Sequence, residues 1–579
     1  MKKFNAAQWG FILVVMMSVA YVVSTAVIFP LNGVRELKPI WQNWRFSITW
    51  EAMLIPLASS YMALGIGMLV ACLIPLALWL QQNQNPALYG DAKFASYSDI
   101  TRSESIGLEG GIIVGLVNGK LIRYVKDAFV TIAAGTRSGK GATVVITNLL
   151  ATMMSVIVLD PKQECFRITS KFREKILKQK VFLFDPFSTE THRYNPLTYV
   201  EMGTDKADSQ LLGLAEILWP TDMGEGATSH FNGAAQNLFI GLIHALWTLL
   251  HDERVDVDAK HDLLKKEVFS ISSALQMFLS CEDMESMIDA VDGINDKAAV
   301  LLRNYLIKSD DERTSVKSTF ENKLKLFMID TFAEATDYSD FDFRKLRREP
   351  TTIYFGISAE QMEISSVILN LFFNQSINTQ LAENPDFDLS LKHKLLFVLD
   401  EFPAIGRVSA IVKRSGIVAG FNLQFLTIFQ NRSQLKDIYG ENGATSLLSA
   451  HPCKLIHAPD DHKDAVDYEG MLGTYTPKSR SVSRSSRATI TQSESDTRRP
   501  LMMAQELECM PVDEQVIWLK GERPIRCKKP FYFNNHFFMD RLKMISPTLK
   551  SYGKAFPNKK QLNEALMKKE LQIEIRRAA

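Results

Sequence analysis

An apolar run at residues 128–133 leads directly into Ala134-Gly135-Thr136-Arg137-Ser138-Gly139-Lys140-Gly141, and a helix-like stretch at 144–154 follows. Strand, glycine-bearing loop, lysine and helix, in that order, form the context that a phosphate-binding loop needs. Glycines let backbone N–H groups turn inward around an anion, the start of the helix adds positive potential, and Lys140 neutralises β- and γ-phosphates. The candidate binding set is Gly135, Thr136, Arg137, Ser138, Gly139, Lys140, Gly141 and Ala142, with a nucleoside triphosphate as ligand. Measured against G-x-x-x-x-G-K-[ST] the loop departs twice, with Ala134 for the first glycine and Gly141 for the hydroxyl that ordinarily ligates Mg2+. Thr143, one step into the helix, is the candidate replacement for that hydroxyl.

Beyond Asp91 short apolar runs alternate with longer amphipathic ones, the signature of parallel βαβ construction. Candidate buried strands are 128–133, 156–159, 181–184, 352–355, 395–399, 425–429 and 454–456, with a late antiparallel hairpin at 516–519 and 525–533. Between residues 200 and 340 the strand signal stops, and Ala235, Leu238, Phe239, Leu242, Ile243, Leu246 and Leu250 follow helical spacing. This predicts an all-helical insertion. Asn232, Gln236, Asn237 and His244 interrupt its longest apolar run and favour a core helix over a membrane span.

The strand at 395–399 ends in Asp400-Glu401, the arrangement of a Walker B element. Asp400 would hold Mg2+ and Glu401 would orient and polarise the attacking water. The strand at 425–429 ends in Gln430, whose amide could sense the γ-phosphate or the water. An arginine supplied across a subunit boundary stabilises charge in such a reaction; Arg407 and Arg414 follow the acidic pair, with Lys413 beside them, and Arg414 ranks first.

Residues 9–29 and 53–80 carry no charge. At ~1.5 Å per residue, about 21 residues match the ~30 Å hydrocarbon thickness of a bilayer. Two spans make a hairpin with both ends on one side; a signal peptide is the alternative for the first run, since Lys2 and Lys3 precede it. Positive charge does not orient the hairpin, because Arg35, Lys38 and Arg45 in the 30–50 loop balance Lys2 and Lys3. ATP is available only in the cytoplasm, which places the bulk there. The 579 residues carry a net charge of +1, so any nucleic-acid contact is local. The six cysteines show no CxxC pair or metal-ligand spacing and suit a reduced compartment. Residues 475–500, rich in Ser, Thr and Arg, read as a mobile loop, either a solvated linker or a contact for nucleic-acid phosphates.

TRSGKG, LDPKQE (159–164), FDPFS (184–188), HRYNPL (192–197), LDEFPAIG (399–406), FQNRSQLKDIYG (429–440) and RPLMMAQELECMP (499–511) together resemble the type IV secretion coupling proteins, the TraG/TraD-type conjugative ATPases of the FtsK/HerA-like motor group. The resemblance covers nearly the whole chain. It implies a RecA-like P-loop NTPase domain of α/β class (91–199 and 341–545), an all-α insertion (200–340), a two-helix transmembrane anchor (1–90) and a charged C-terminal tail (546–579). It further implies a homo-hexameric ATPase of the bacterial inner membrane, using ATP and Mg2+, that recruits relaxase with single-stranded DNA, or effector proteins, and delivers them to the subunits of a type IV secretion channel. GKG loops occur in relatives, which bears on the Gly141 departure. Two other readings stand beside it: a receptor that holds nucleotide without hydrolysing it, and a double-stranded DNA translocase of the chromosome-segregation type, for which more spans and a winged-helix reader are expected.

Overall fold

The computed structural model describes residues 88–577, apart from 127–128, 136–137, 222–225, 282, 409–410, 412–417 and 485–489. Both N-terminal apolar runs, and the loop between them, lie outside the described residues.

The strands are β1 (Ile106–Gly107), β2 (Ile112–Val117), β3 (Lys120–Tyr124), β4 (Phe129–Ala133), β5 (Ser155–Asp160), β6 (Lys180–Phe184), β7 (Thr351–Gly356), β8 (Leu395–Leu399), β9 (Leu423–Phe429), β10 (Cys453–Ile456), β11 (Thr474–Tyr475), β12 (Lys478–Arg484), β13 (Ile490–Asp496), β14 (Arg499–Pro500), β15 (Glu514–Leu519) and β16 (Ile525–Lys528). A twelve-stranded sheet runs β1-β3-β2-β16-β15-β10-β4-β9-β8-β5-β7-β6. From β10 to β6 every neighbouring pair is parallel, and from β10 to β1 every pair is antiparallel. The parallel block consists of the strands expected from the apolar runs. Their residues are buried end to end in β4, β5, β7, β8 and β9, which is why they read as continuous apolar runs rather than alternations.

Along β4 the side chains part to the two faces. Phe129 and Ala133 join a core shared with the helices after residue 200, while Val130 and Ile132 join one formed by helices Ile146–Ala151 and Glu164–Lys175 and the C-terminal residues. The described residues between 207 and 337 are helical or connecting, from Ala207–Leu218 to Asp330–Asp337, with no strand among them. The long apolar helix Ala227–His251 meets the length and composition of a membrane span but is mostly buried inside the protein. Trp219 anchors this region, fully buried and stacked on Phe320 at 5.4 Å. The chain enters and leaves it side by side: Arg193 pairs with Asp340 at 2.7 Å, and the Asn195 amide donates to the carbonyls of Phe269 and Asp337.

Three features differ from the sequence expectation. The antiparallel strands β1–β3 were not anticipated. Residues 478–484 and 490–496 pair as antiparallel strands, β12 against β13, rather than as an irregular loop, in register from Lys478↔Asp496 to Arg484↔Ile490, with Lys478 and Glu494 3.6 Å apart across the pair. The charged tail is packed rather than free: Leu549, Leu562, Ala565, Leu571 and Ile573 are buried in the second core, and the Lys171 N–H donates to the Leu571 carbonyl at 3.1 Å. The charges of the tail had masked this apolar stripe.

Candidate functional site

The carboxyl ends of the parallel strands bring one row of polar residues to one edge of the sheet. Following β10, β4, β9, β8, β5, β7 and β6, the ends of β10, β4, β9, β8, β5 and β6 carry His457, the glycine loop, Gln430, Asp400-Glu401, Asp160 and Asp185. Open α/β sheets bind their ligands at this edge. Because β9 lies between β4 and β8, Gln430 begins its turn between the loop and the acidic pair.

The loop leaves β4 under close control. The Ala134 N–H donates to the Phe429 carbonyl at 3.0 Å, extending the β4–β9 ladder by one bond. At Gly135 a Cβ atom would overlap the carboxylate of the exposed Asp460, which would have to move aside for any larger residue. Gly139 has φ +81°, and a Cβ there would lie 3.1 Å from the Phe531 ring. Gly141 is different: a Cβ there meets nothing within 4 Å. The helix opens with a wide turn, in which the Ile146 N–H reaches the Gly141 carbonyl, before regular α-helix begins. Asn148 fastens this helix to β2, its Oδ1 accepting from the Ile113 N–H at 2.7 Å and its Nδ2 donating to the Ile113 carbonyl.

Lys140 and Glu401, separated by 261 positions in the chain, meet at the site, with Nζ and Oε2 3.7 Å apart and the side chains 20% and 21% exposed. Glu401 precedes a tight turn, Phe402–Ile405, that begins Phe-Pro and directs the chain off the end of β8. Asp400 is more deeply set. Burial pushes its pKa up to about 7; Lys140 opposes the shift, and Asp160, Glu401 and Glu164 reinforce it. Its Oδ1 is buried without a hydrogen-bond partner. Asp160, at the end of β5 beside β8, is raised by burial to about 6 while its Oδ2 accepts from the Phe166 N–H at 2.8 Å. On the other flank His457 is fully buried; burial first, then Lys529 and Lys140, lower it to about 3, against the hydrogen bond from Nε2 to Gln515.

These observations bear unequally on the residues singled out in the sequence. Lys140, Asp400 and Glu401 share one site, and the end of β9 carries Gln430 to the same edge. Gly135, Ser138, Gly139, Gly141 and Ala142 line the loop and first turn, while Thr136, Arg137, Lys413 and Arg414 lie outside the described residues. Arg407 is close enough to Tyr439 to lower the pKa of its phenol, which burial otherwise raises. Thr143 is fully buried, and its hydroxyl donates back to the Gly139 carbonyl at 2.9 Å, the usual bond of a threonine inside a helix, which uses its proton and leaves its lone pairs. The orphaned Oδ1 of Asp400 is the atom that fits a cation or its water shell. Sequence reasoning assigned no role to Asp160, His457, Asp460, Lys529 or Phe531. The first two are the polar residues that end buried strands, a signal shared with Asp400; the others approach the loop only through the fold.

Comparison with known proteins gives a consistent picture. The family model described as type IV secretory system conjugative DNA transfer matches residues 91–555. VirD4 of Agrobacterium fabrum is 29% identical over 411 residues, which cover 70% of this chain and 58% of VirD4, so the chain spans less than two thirds of that relative. The conjugal transfer protein TraG of Escherichia coli is 25% identical over 534 residues, covering 83% of this chain and 82% of TraG. Among solved structures, the plasmid coupling protein TrwB in complex with the non-hydrolysable ATP analogue ADPNP superposes with a TM-score of 0.53 at 12% identity, covering 77% of this chain and 95% of TrwB. TrwB in complex with ADP and Mg2+ superposes with a TM-score of 0.52. The shared architecture is an α/β fold with a central mixed sheet. A glycine loop and an acidic pair at one sheet edge, and a family match across most of the described residues, lead to one conclusion: the chain belongs to the type IV secretory system conjugative DNA transfer family.

Proposed function

We propose that this protein is an ATP-hydrolysing coupling protein of type IV secretion, a motor that recruits relaxase with single-stranded DNA, or effector proteins, and passes them to the subunits of a secretion channel. The observation that carries the reading is the meeting of Lys140 with Glu401 beneath a glycine loop, with Asp400 at the same strand end. Lys140 and the N–H groups of residues 135–142 hold the triphosphate. Asp400 holds Mg2+, which when bound neutralises charge on the phosphates. Glu401 accepts a proton from the attacking water, and Gln430 senses the γ-phosphate from the end of β9. In this reading the chain is anchored in the bacterial inner membrane by the spans at 9–29 and 53–80, with its bulk in the cytoplasm, and works as a homo-hexamer in which Arg414 reaches the neighbouring subunit's nucleotide.

Family membership and the named relatives support the transport role; the site geometry supports turnover over a silent receptor, since a receptor needs Lys140 but has no use for Glu401 beside it. Two variants separate these readings. Lys140→Ala is expected to lose nucleotide binding and turnover together, whereas Glu401→Gln keeps bound ATP and loses hydrolysis by about 10²–10⁴-fold, the scale of positioned acid–base assistance. Wild-type hydrolysis by Glu401→Gln would sink the assignment; transfer by both variants without hydrolysis would put a receptor in place of the motor. Mixing Arg414→Ala with Glu401→Gln chains should restore some turnover if the arginine acts in trans, and no rescue removes Arg414 from that role. A cysteine at Asn32 should react with an impermeant thiol reagent in spheroplasts; reaction of a cysteine beyond Asp91 instead inverts the topology.

A further inference from the structure

Lys529 is a buried cation set against the glycine loop by a distant part of the chain. It follows β16, whose partner β15 pairs with β10, the neighbour of β4. The Lys529 N–H donates to the Asp513 carbonyl at 2.8 Å, and its own carbonyl accepts from the Phe531 N–H at 3.2 Å, so the backbone from 529 to 531 is a tight, bonded turn. The side chain is 5% exposed, and its Nζ donates to the Ser138 carbonyl at 3.2 Å. No carboxylate pairs with this ammonium among the described residues, and burial lowers it to about 8, with Asp513 opposing the shift from a distance. Burying an ammonium against a single carbonyl is expensive, and an apolar residue in its place would serve packing better.

The carbonyl it grips has a particular consequence. Peptide bonds here are trans, so the Ser138 carbonyl and the Gly139 N–H point in opposite directions across one rigid plane. A lysine that draws the carbonyl outward turns the N–H inward. Gly139, at φ +81°, adopts the left-handed conformation such a turn needs, and the Phe531 ring closes over its α-carbon. One short turn, 529–531, thus holds the plane from two sides. Two further polar atoms, Ser138 Oγ and His457 Nδ1, are buried with no hydrogen-bond partner, and His457 lies within electrostatic reach of both Lys529 and Lys140.

We infer that Lys529 is a positioning residue of the phosphate loop, which acts through the Ser138–Gly139 peptide to aim the Gly139 N–H at the bound phosphates. The inference rests on the reading of residues 134–142 as the nucleotide site. The test uses the full-length protein in detergent, with Mg-ADP and Mg-ADPNP as probes and unfolding followed without nucleotide. Lys529→Met keeps the apolar stem and removes the ammonium; it is expected to weaken both nucleotides by roughly 10- to 100-fold while melting at or above the wild-type temperature, because the buried charge is gone. Lys529→Arg keeps a cation and should recover part of the affinity. Wild-type affinity in Lys529→Met, with Lys140→Ala unable to bind, overturns the role of Lys529 and leaves the nucleotide site standing. Lower melting together with weak binding and no recovery in Lys529→Arg means a purely structural lysine and also overturns it. Wild-type binding by Lys140→Ala would instead dismiss the nucleotide site itself.

Discussion

Glu401 is expected to restrain nucleotide binding as well as to promote hydrolysis, so Glu401→Gln should bind nucleotide more tightly than wild type. Lys140 Nζ lies 3.7 Å from Glu401 Oε2, and the lysine must leave that carboxylate to turn fully to a phosphate. Bare Coulomb attraction at this separation is about 1 kcal/mol in water and about 4–5 kcal/mol at an effective permittivity near 20. Both side chains keep about a fifth of their surface in solvent, and desolvation and screening reduce the net value of such a pair to about 1 kcal/mol. With about 1.4 kcal/mol per tenfold, releasing Lys140 is worth roughly fivefold in affinity. Repulsion between the carboxylate and the phosphates disappears in the same variant and adds with the same sign. The assay is displacement of a fluorescent ADP analogue from full-length protein at fixed Mg2+, repeated at low and high salt, where the advantage of the variant should shrink as salt rises. Equal or weaker binding by Glu401→Gln would refute the reasoning, since neither contribution could then be present.

Gly135→Ala should weaken nucleotide binding, because its methyl group would push the exposed Asp460 carboxylate aside at the start of the loop, whereas Gly141→Ala meets open space in the first helical turn and should raise stability by about 0.5–1 kcal/mol without loss of binding; calorimetry and melting on both variants check the contrast. Trp219→Ala should cost about 3–5 kcal/mol in unfolding by denaturant, since the ring is fully buried, stacked on Phe320 and bonded through Nε1 to the Thr319 carbonyl. His451 is held neutral, donating from Nδ1 to the Leu447 carbonyl and accepting at Nε2 from Thr427, and burial lowers it to about 4. The unfolded chain titrates near 6.5, so stability is lost as pH falls below that value, by about 2 kcal/mol at pH 5 from this group. Asp160 and Asp400, raised by burial, work with the opposite sign and stabilise as pH falls from about 7 towards 4, so the readout is the pH dependence of the difference between wild type and His451→Gln across pH 7.5 to 5, which should level off at the upper end.

What the sequence made legible follows from where burial is complete. The parallel strands could be read because both faces are covered, so each is an unbroken apolar run, and the residue at which polarity returns is by construction at the carboxyl edge. Lys140, Asp400, Glu401 and Gln430 were found by that logic, and it applies equally to Asp160 and His457, which lacked only a motif to single them out. The antiparallel strands β2 and β3 carried a signal of a different kind: Asn118 and Gly119, with φ of 49° and 75°, form the Asn-Gly turn that joins the apolar run Ile112–Val117 to Lys120–Tyr124, a hairpin signature independent of the βαβ alternation. Lys529, Phe531 and Asp460 show the limit of reading by position. Nothing in their neighbours along the chain distinguishes them from surface residues, and their meaning comes from a sheet order that sets β10, β15 and β16 on one side of β4 and so brings the turn after β16 against Ser138 and Gly139. The chemistry of such a site is written locally, in the residues that touch phosphate and water, but the shape of the loop that presents them is set by residues nearly 400 positions away, and only the order of the strands connects the two.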